Sequence, residues 1–589
     1  MNWTQTINPY KNIAISSIVA VVPIIFIFWA LIIKKMKGYQ ATISATLIAI
    51  LIAVFSYHMP INLALLSTLH GILYGLFPIC WIIIGVIFLF NITLKSGQFE
   101  VIKYFMSSIS DDRRLQALLI AFSFGAFLEG TAGFGAPVAI TASMLIGLGF
   151  DPLYAAGICL VANTAPVAFG SIGIPITIAS QVSGIPEMAI SQMVGRTLPL
   201  LSFLLPFYLI ILMSGLRKSI EVLPAIIVSG LSFAIFQFLF SNFLGPRLPD
   251  VVAGIASIIS LMLFLQFWKP KSVWRFKHEP PPTKSTNESY SRGQIFRAWS
   301  PFIILTLIIL AWGLQPVKNM LDNIGFTKFG IPGLNNVIKS GTDGGLIQQV
   351  FKFNYLSASG TAIMLSAIIS IPLTGLHFKD GLKVFFSTLN QLKYPILTIA
   401  SVLGFAYIIN NSGISLTMAK GMASTGVLFP FFAPILGWLG VFITGSDTSS
   451  NALFAQLQSA AATAINVNPV VTVSANCTGG VVGKMISPQS IAVGTAAVGL
   501  VGKESDLFRF TVKHSFIILL AVCIITVIQA YMIPWIIPSY TIAKAGVAEV
   551  ATSFSKGTLY LISLAIIIAC VCITIFWINR KEKGVLEIP

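Results

Sequence analysis

Long apolar runs separated by short polar segments recur along almost the whole chain. Clear runs lie at 13–33, 41–55, 77–94, 515–537 and 559–578. A helix needs roughly 20 predominantly apolar residues to cross a bilayer, and most of these runs are close to that length. Other runs are interrupted by Gly, Pro and Asn and can be divided in more than one way, so we expect about 11–14 transmembrane helices. The pattern predicts an all-α polytopic membrane protein.

The composition supports this fold class. Of 589 residues, 56% are hydrophobic and only 9% are charged, whereas charged residues make up about 25% of a typical soluble protein. The six cysteines lie in apolar or small-residue stretches without CxxC or Cys/His spacing. This arrangement argues against a disulfide framework or a metal site, and we expect no cofactor.

The net charge of +17 reflects topology. Lys and Arg gather in short segments between apolar runs, at 34–37, 103–114, 217–218, 269–297 and 579–583. Under the positive-inside rule such segments face the cytoplasm. We therefore expect an external N-terminus, a cytoplasmic C-terminus and no nucleic-acid partner.

Two stretches of related sequence lie in the two halves of the chain, at 127–179 and 442–492. Phe, Gly, Asn and Pro residues match in the same order at a nearly constant offset, including Asn163 with Asn476. The segment before the first stretch is basic, whereas Lys420 is the only basic residue in the matching segment of the second. Equivalent loops on opposite sides of the membrane are what an inverted duplication produces. We therefore predict two inverted repeats.

Each stretch combines two kinds of interrupted segment. The first kind is rich in Gly and small residues, EGTAGFGAP (129–137) and GSDTSSN (445–451), and we interpret it as a re-entrant hairpin. The second kind, ANTAPVAFGSIGIP (162–175) and ANCTGGVVGKMISP (475–488), is interpreted as a helix broken at its centre. Broken helices are tolerated in hydrocarbon only beside protein or a water-filled cavity. Paired breaks are typical of a transporter's substrate site; the alternative is that small residues only permit close helix packing.

Three charged residues, Glu129, Asp447 and Lys484, lie inside these segments. An ionisable residue at the bilayer centre costs about 2.5–3.5 kcal/mol, so such residues usually pair or act in transport. Lys484 is a candidate partner for a substrate carboxylate, for Glu129 or for Asp447, and a structural ion pair is the alternative. Apolar neighbours disfavour the charged form of Glu129, so we predict that it carries a proton, whereas hydroxyl neighbours keep Asp447 charged and able to organise the site or Lys484.

The hairpin tips are expected to bind an anion, because helix N-terminal amides point at them and hydroxyls and amides complete a polar lining. The predicted substrate-binding residues are Gly130, Thr131, Ser446, Thr448, Ser449, Asn451, Asn163, Thr164, Asn476, Thr478, Lys484 and Gln489, with Glu129 and Asp447 as the predicted proton-coupling residues and with no metal ligand.

Three segments carry a resemblance to a known family. EGTAGFGAPVAI, TGSDTSSNALFAQLQ and NCTGGVVGKMISPQSIAVGTAAVG closely resemble signatures of the bacterial L-lactate permease family, and the likeness covers nearly the whole chain in motif order and length. The resemblance implies a secondary transporter, not an enzyme, that takes up L-lactate with a proton across the plasma membrane. It also implies transport of related 2-hydroxy monocarboxylates such as D-lactate and glycolate.

The repeat plan also resembles the wider ion-transporter superfamily that includes sodium–dicarboxylate symporters, in which hairpins and broken helices move as an elevator. Their paired Ser-Asn-Thr signatures are similar to 162–164 and 475–478 here, but alanine replaces the first serine in both copies and Cys477 precedes Thr478 in the second. These departures argue against sodium coordination, so we expect proton coupling. A sodium-coupled carboxylate symporter and a proton-translocating subunit of a respiratory complex are the alternatives.

The expected organisation alternates scaffold and transport segments. Scaffold spans occupy 1–114, a first transport repeat 115–195, scaffold spans 196–267, a cytoplasmic loop 268–299, scaffold spans and a loop 300–425, a second transport repeat 426–502, and C-terminal spans with a tail 503–589. The loop near 316–355 is expected to be extracellular or to cover the spans as an amphipathic segment. Both a monomer and a homodimer are compatible with the sequence.

Overall fold

The computed structural model describes residues 2–34, 36–133, 135–276, 290–342, 344–500 and 503–540. The apolar run predicted at 559–578 lies outside the described residues. Most of the described chain is helical, and helices are the expected solution in a bilayer because they satisfy every backbone group internally.

The helices of the first half are α1 (Ile13–Phe28), α2 (Gly38–Phe55), α3 (Ile61–Tyr74), α4 (Trp81–Lys95), α5 (Gln98–Ser108), α6 (Arg113–Gln116), α7 (Gly125–Thr131), α8 (Ala136–Gly147), α9 (Pro152–Ala162), α10 (Gly170–Ser183), α11 (Glu187–Val194), α12 (Leu198–Ser214), α13 (Leu216–Ile220), α14 (Leu223–Phe243) and α15 (Pro249–Phe267). Three segments have wider helical turns. One extends α1 at Trp29–Ile33, one joins α3 to α4 at Gly75–Cys80, and one joins α6 to α7 at Ala117–Phe124.

The helices of the second half are α16 (Arg292–Gly313), α17 (Gln315–Gly325), α18 (Ser359–Leu373), α19 (Phe378–Asn411), α20 (Ile414–Ala423), α21 (Phe429–Thr444), α22 (Asp447–Ala464), α23 (Pro469–Lys484), α24 (Pro488–Ala497) and α25 (Glu504–Val527). Short helical turns lie at Val167–Phe169, Gly426–Leu428, Ile528–Met532 and Pro534–Ile536.

In this described part, 10 helices are long and apolar enough to cross a membrane, or 11 if the bent pair Pro152–Ala162 and Val167–Ser183 counts as one span. The outer helices expose large apolar side chains such as Ile18, Leu47 and Phe243, as lipid contact requires. By contrast, α23 buries every residue from Val470 to Lys484. The protein is a multi-pass, all-α membrane protein with little sheet, as predicted.

One small sheet links the N-terminus to the loop predicted at 316–355, and a second lies within that loop. Strand β1 (Trp3–Thr4) pairs in parallel with β3 (Ile338–Lys339), and β2 (Thr327–Gly330) pairs antiparallel with β4 (Val350–Phe353). The loop therefore lies beside the start of α1, and α1 leads from there towards Lys34. We call these two ends of the molecule the N-terminal side and the Lys34 side.

Each half contains a pair of helices joined by a very short turn. The first pair is the helix 113–131 and α8, joined at 132–135, where Gly133 and Gly135 have φ of 60° and 84°. The second pair is α21 and α22, joined at Gly445, with φ of 71°, and Ser446. A residue with a β-carbon is strained at such positive φ, which explains the glycines at both tips. We call these pairs the first and second hairpins.

The two predicted broken helices differ. In the first, α9 ends before Asn163, and α10 begins with left-handed backbone at Ser171, Ile172 and Gly173. In the second, α23 runs unbroken through Asn476 to Lys484, so the prediction of a break at its centre is wrong. The interruption lies between α23 and α24.

Close helix packing explains the glycines of α23. A β-carbon at Gly479 would lie 2.0 Å from the carbonyl oxygen of Pro434, and one at Gly483 would lie 2.3 Å from that of Trp438. These glycines allow α23 to pack closely against α21. Such small-residue packing was the alternative to the broken-helix interpretation. The inverted relation of the repeats and the scaffold and transport boundaries stay predictions.

Candidate functional site

A cavity of about 470 Å³ lies where the two hairpin tips meet the first broken helix and the scaffold helices α2 and α19. The residues that line it are Lys37, Gly38, Tyr39, Glu129, Gly135, Val167, Gly170, Ser171, Pro175, Tyr394, Pro395, Thr398, Ile399, Thr444, Gly445, Ser446, Asp447, Thr448, Ser449, Lys484, Gln489, Ser490 and Val493. Because Lys37 precedes α2 and Gly38 is its first residue, the cavity lies towards the Lys34 side. We call it the site cavity.

An ion pair joins the two halves of the chain across this cavity. The Nζ atom of Lys484 lies 2.5 Å from Oε1 of Glu129, and both side chains are largely buried. Among the residues that the structure describes, Oε2 of Glu129 has no hydrogen-bond partner. A β-carbon at Gly170 would lie 2.9 Å from Oε1 of Glu129, so this glycine makes room for the carboxylate. Lys484 is the last residue of α23, where the helix dipole favours a cation.

Asp447 has a different setting on the second hairpin. It is the first residue of α22, and the side chain of Ser446 caps that helix by accepting a hydrogen bond from the Ser449 amide at 3.3 Å. Asn451 donates to Oδ2 of Asp447 at 3.3 Å, whereas Oδ1 has no partner. A helix N-terminus favours a carboxylate. Lys484, in the structure, is bonded to Glu129 and not to Asp447.

A chain of buried amides supports the second hairpin from behind. Gln458 donates to Oδ1 of Asn476 at 3.2 Å, and Asn476 donates to Oδ1 of Asn451 at 2.8 Å. Asn451 also donates to the carbonyl oxygen of Pro175 at 3.1 Å. The network therefore ties the second hairpin to α23 and to the first broken helix.

Comparison with known proteins agrees with this architecture. Residues 16–533 match the family model described as L-lactate permease. An L-lactate permease of Bacillus subtilis is 56% identical over 91% of this chain and 100% of its own length. The chain belongs to the L-lactate permease family. The glycolate permease GlcA of Escherichia coli K12 is 50% identical, over 90% of this chain and 99% of its own length.

Among solved structures, the permease aligns with the YdaH transporter of Alcanivorax borkumensis at a TM-score of 0.45 and 14% identity, over 81% of this chain and 90% of that one. A likeness at this level says nothing further about this chain.

The permease brings together half of its predicted site residues at the site cavity. Those that line it are Glu129, Ser446, Asp447, Thr448, Ser449, Lys484 and Gln489. The predicted residues that lie outside the lining are Gly130, Thr131, Asn163, Thr164, Asn451, Asn476 and Thr478.

The residues outside the lining have other contacts. Thr131 donates to the carbonyl oxygen of Phe127 at 2.9 Å, and Thr478 contacts that of Ala475 at 3.4 Å. Gly130 packs closely against α15. Asn163 is buried, and neither polar atom of its side chain has a hydrogen-bond partner.

Sequence reasoning missed the scaffold wall of the site. The rings of Tyr39 and Tyr394 stack with centroids 5.3 Å apart, and Nζ of Lys37 lies 5.4 Å from the Tyr394 ring. These residues lie on α2 and α19, far from the repeats in sequence, so no local pattern connects them with the site.

Another buried carboxyl group close to Glu129 in the fold was also missed. Asp250 lies at the start of α15, is 1% exposed and accepts a hydrogen bond from Gln237 at 3.1 Å. It packs beside Gly130, the neighbour of Glu129 in sequence. Its position at the polar beginning of a span made it resemble an ordinary loop residue.

Proposed function

We propose that this permease is a proton-coupled symporter of L-lactate and of related 2-hydroxy monocarboxylates such as D-lactate and glycolate. Relatives covering nearly the whole chain are named L-lactate permease and glycolate permease, which supports a small hydroxy acid as substrate. The site cavity, at about 470 Å³, is of a size suited to a small ligand.

The observation that carries this proposal is the Lys484–Glu129 ion pair at the cavity wall. A lactate carboxylate needs a cation in this buried place. Of the two lysines in the lining, Lys37 and Lys484, it is Lys484 that is bonded to Glu129. When the lactate carboxylate binds Lys484, Glu129 loses its ion-pair partner. A buried carboxylate without a partner is strongly unfavourable, so Glu129 takes up a proton.

This exchange leaves the net charge of the site the same in both states. The empty site holds ionised Glu129 with Lys484, and the loaded site holds lactate with Lys484 and protonated Glu129. One lactate and one proton then move without net charge. Transport therefore does not work against a membrane potential that costs about 2.3 kcal/mol per charge per 100 mV.

The second hairpin supplies groups for the rest of the substrate. The hydroxyls of Ser446, Thr448 and Ser449 line the cavity together with the Gln489 amide. These groups are suited to bind the 2-hydroxyl group of lactate, while charged Asp447 holds the hairpin through Asn451.

The arrangement also suggests how access alternates. Both hairpin tips carry the site, whereas Tyr39 and Tyr394 contribute one wall from the scaffold. We infer that the two repeats move together against this wall as an elevator in the bacterial plasma membrane. In this proposal the N-terminus is external and the Lys34 side is cytoplasmic.

Purified permease in proteoliposomes tests the function. An inward proton gradient should drive accumulation of radiolabelled L-lactate, with D-lactate and glycolate as competitors, and an inward sodium gradient at equal pH should not. Sodium-driven uptake that is independent of pH would contradict the proposal and favour the sodium-coupled alternative.

A further inference from the structure

A second and larger cavity, of about 1070 Å³, lies on the N-terminal side. Its walls come from α16, α17, β2, β4 and the first broken helix, and four of its lining residues are basic: Arg247, Lys318, Lys328 and Lys352. Glu187 and Asp322 are the acidic residues of the lining. We call this space the outer cavity.

Two of these lysines, Lys328 and Lys352, lie next to each other, and their repulsion destabilises the strand pair that carries them. Lys328 and Lys352 are directly opposite partners in the antiparallel pair of β2 and β4. Like charges directly opposite each other destabilise a strand pair. Within the described residues, Lys328, Lys352 and the nearby Lys318 have no ion-pair partner, and all three are exposed. The lining therefore holds four basic and two acidic side chains, an excess of positive charge.

In the orientation proposed above, with the N-terminal side external, the location of this charge is opposite to the usual bias. The outer cavity lies beside the loop that pairs with the N-terminus, whereas short basic loops normally mark the cytoplasmic face. Membrane topology therefore does not account for Lys318, Lys328 and Lys352. A positive field inside a walled cavity raises the local concentration of small anions.

The outer cavity adjoins the site cavity through the first broken helix. Thr177 lines the outer cavity and Pro175, two residues earlier, lines the site cavity. Arg247, in the lining of the outer cavity, contacts this helix. It donates to Thr177 Oγ1 at 2.6 Å, is ion-paired with Glu187 at 2.8 Å, and reaches the carbonyl oxygen of Ile172 at 3.4 Å. An anion in the outer cavity is thus one helix away from the site.

We propose that the outer cavity is an anion-collecting vestibule, in which Lys318, Lys328 and Lys352 hold small carboxylates before they enter the site. This inference rests on the proposed uptake of a monocarboxylate anion. The vestibule acts on substrate arriving from the N-terminal side and not on substrate arriving from the Lys34 side.

The test compares Lys328→Gln/Lys352→Gln with wild type by initial rates of proton-driven L-lactate uptake. At an ionic strength of about 0.01 M, where screening extends over about 30 Å, we expect KM from the N-terminal side to rise about threefold. At about 1 M, where screening acts within about 3 Å, the two KM values should converge. Vmax and KM for entry from the Lys34 side should be unchanged.

Lys11→Gln/Lys339→Gln is the matched control, because both lysines lie near the N-terminal side and neither lines the outer cavity. Lys318→Gln, on α17, provides a second variant if the strand variant does not insert. Unchanged KM at low ionic strength with normal proton-driven uptake would overturn the vestibule and leave the transport function standing. Absence of proton-driven lactate uptake by the wild type would overturn both.

Discussion

The two hairpins each present one buried carboxyl group to the site, but at opposite ends of their helices. Glu129 lies in the last turn of α7 and is bonded to Lys484. Asp447 is the first residue of α22, behind the capping Ser446, and is bonded to Asn451. A helix C-terminus disfavours an anion and a helix N-terminus favours one. Glu129 therefore depends on its cation, whereas Asp447 has support from its own helix.

This contrast is the reason why we assign different roles to the two carboxyl groups, and that assignment stays a prediction. The group whose charge depends on a removable partner is suited to exchange a proton. The group whose charge is supported by fixed dipoles is suited to hold a hairpin in shape. Substrate and Glu129 can compete for Lys484. A substrate carboxylate that binds Lys484 therefore removes the ion-pair partner of Glu129.

The largest expected effect is that of Lys484→Gln. The substitution removes the cation that binds the substrate and leaves Glu129 buried without a partner, a change that costs about 3–5 kcal/mol for a buried pair. Proton-driven uptake and lactate exchange between equally loaded compartments should both fall below detection in proteoliposomes. Lys420→Gln, an exposed lysine at the end of α20, is the control and should transport normally. Lactate exchange by Lys484→Gln at the wild-type rate would contradict the assignment.

Glu129→Gln should separate the two activities. Glutamine is neutral whether or not lactate is bound, so binding no longer takes up a proton. Accumulation driven by a pH gradient should be lost, while lactate exchange between equally loaded compartments should persist. Both activities are measured after membrane insertion is confirmed. If this variant still concentrates lactate with wild-type pH dependence, Asp447 becomes the better candidate for the proton carrier.

Asp447→Asn should reduce both activities together. The change removes a charge that the α22 N-terminus and Asn451 support, and a hydrogen bond to a charged group contributes about 1.5–3 kcal/mol. We expect a decrease of about tenfold or more in exchange and in proton-driven uptake alike. Retained exchange with lost accumulation would reverse the roles of the two carboxyl groups.

The smallest effects concern the matched asparagines. Asn476→Ala removes the donor to Oδ1 of Asn451, whereas Gln458 keeps its hydrogen bond to the carbonyl oxygen of Ala433. A buried acceptor left without a donor costs about 1–3 kcal/mol. Asn163→Ala removes an amide that has no hydrogen-bond partner. We therefore expect a lower Tm in detergent for Asn476→Ala and little change for Asn163→Ala. Equal losses of Tm would show that the two asparagines are equivalent despite their different surroundings.

The sequence was sufficient to predict the fold class and the glycine turns near 132–135 and 445–446. It also singled out Glu129, Asp447 and Lys484, but not Lys37, which lines the same cavity. Hydropathy reveals spans, and glycines beside embedded charges mark helix ends inside a membrane protein. The prediction was wrong for the second helix, because GG and GxxxG patterns have two physical uses. Gly479 and Gly483 bring two helices together and do not interrupt one.

The remaining parts of the site depend on contacts between distant segments. Lys484 had three possible partners in the sequence, and only the packing of α7 against the end of α23 selects Glu129. The aromatic wall of Tyr39 and Tyr394 comes from two helices that carry no site motif. Asn451 and Asn476 had the right chemistry for the substrate, but they are bonded to each other behind the cavity.

The central claim is that lactate displaces Glu129 from Lys484 and thereby causes proton uptake. Lactate binding to the detergent-solubilised permease in weakly buffered solution, followed with a pH indicator, tests it directly. The wild type should take up one proton per lactate bound. Its affinity for lactate should therefore fall about tenfold from pH 7 to pH 8. Glu129→Gln should bind lactate without proton uptake. Lactate binding that takes up no proton, or proton uptake that persists in Glu129→Gln, would contradict the account.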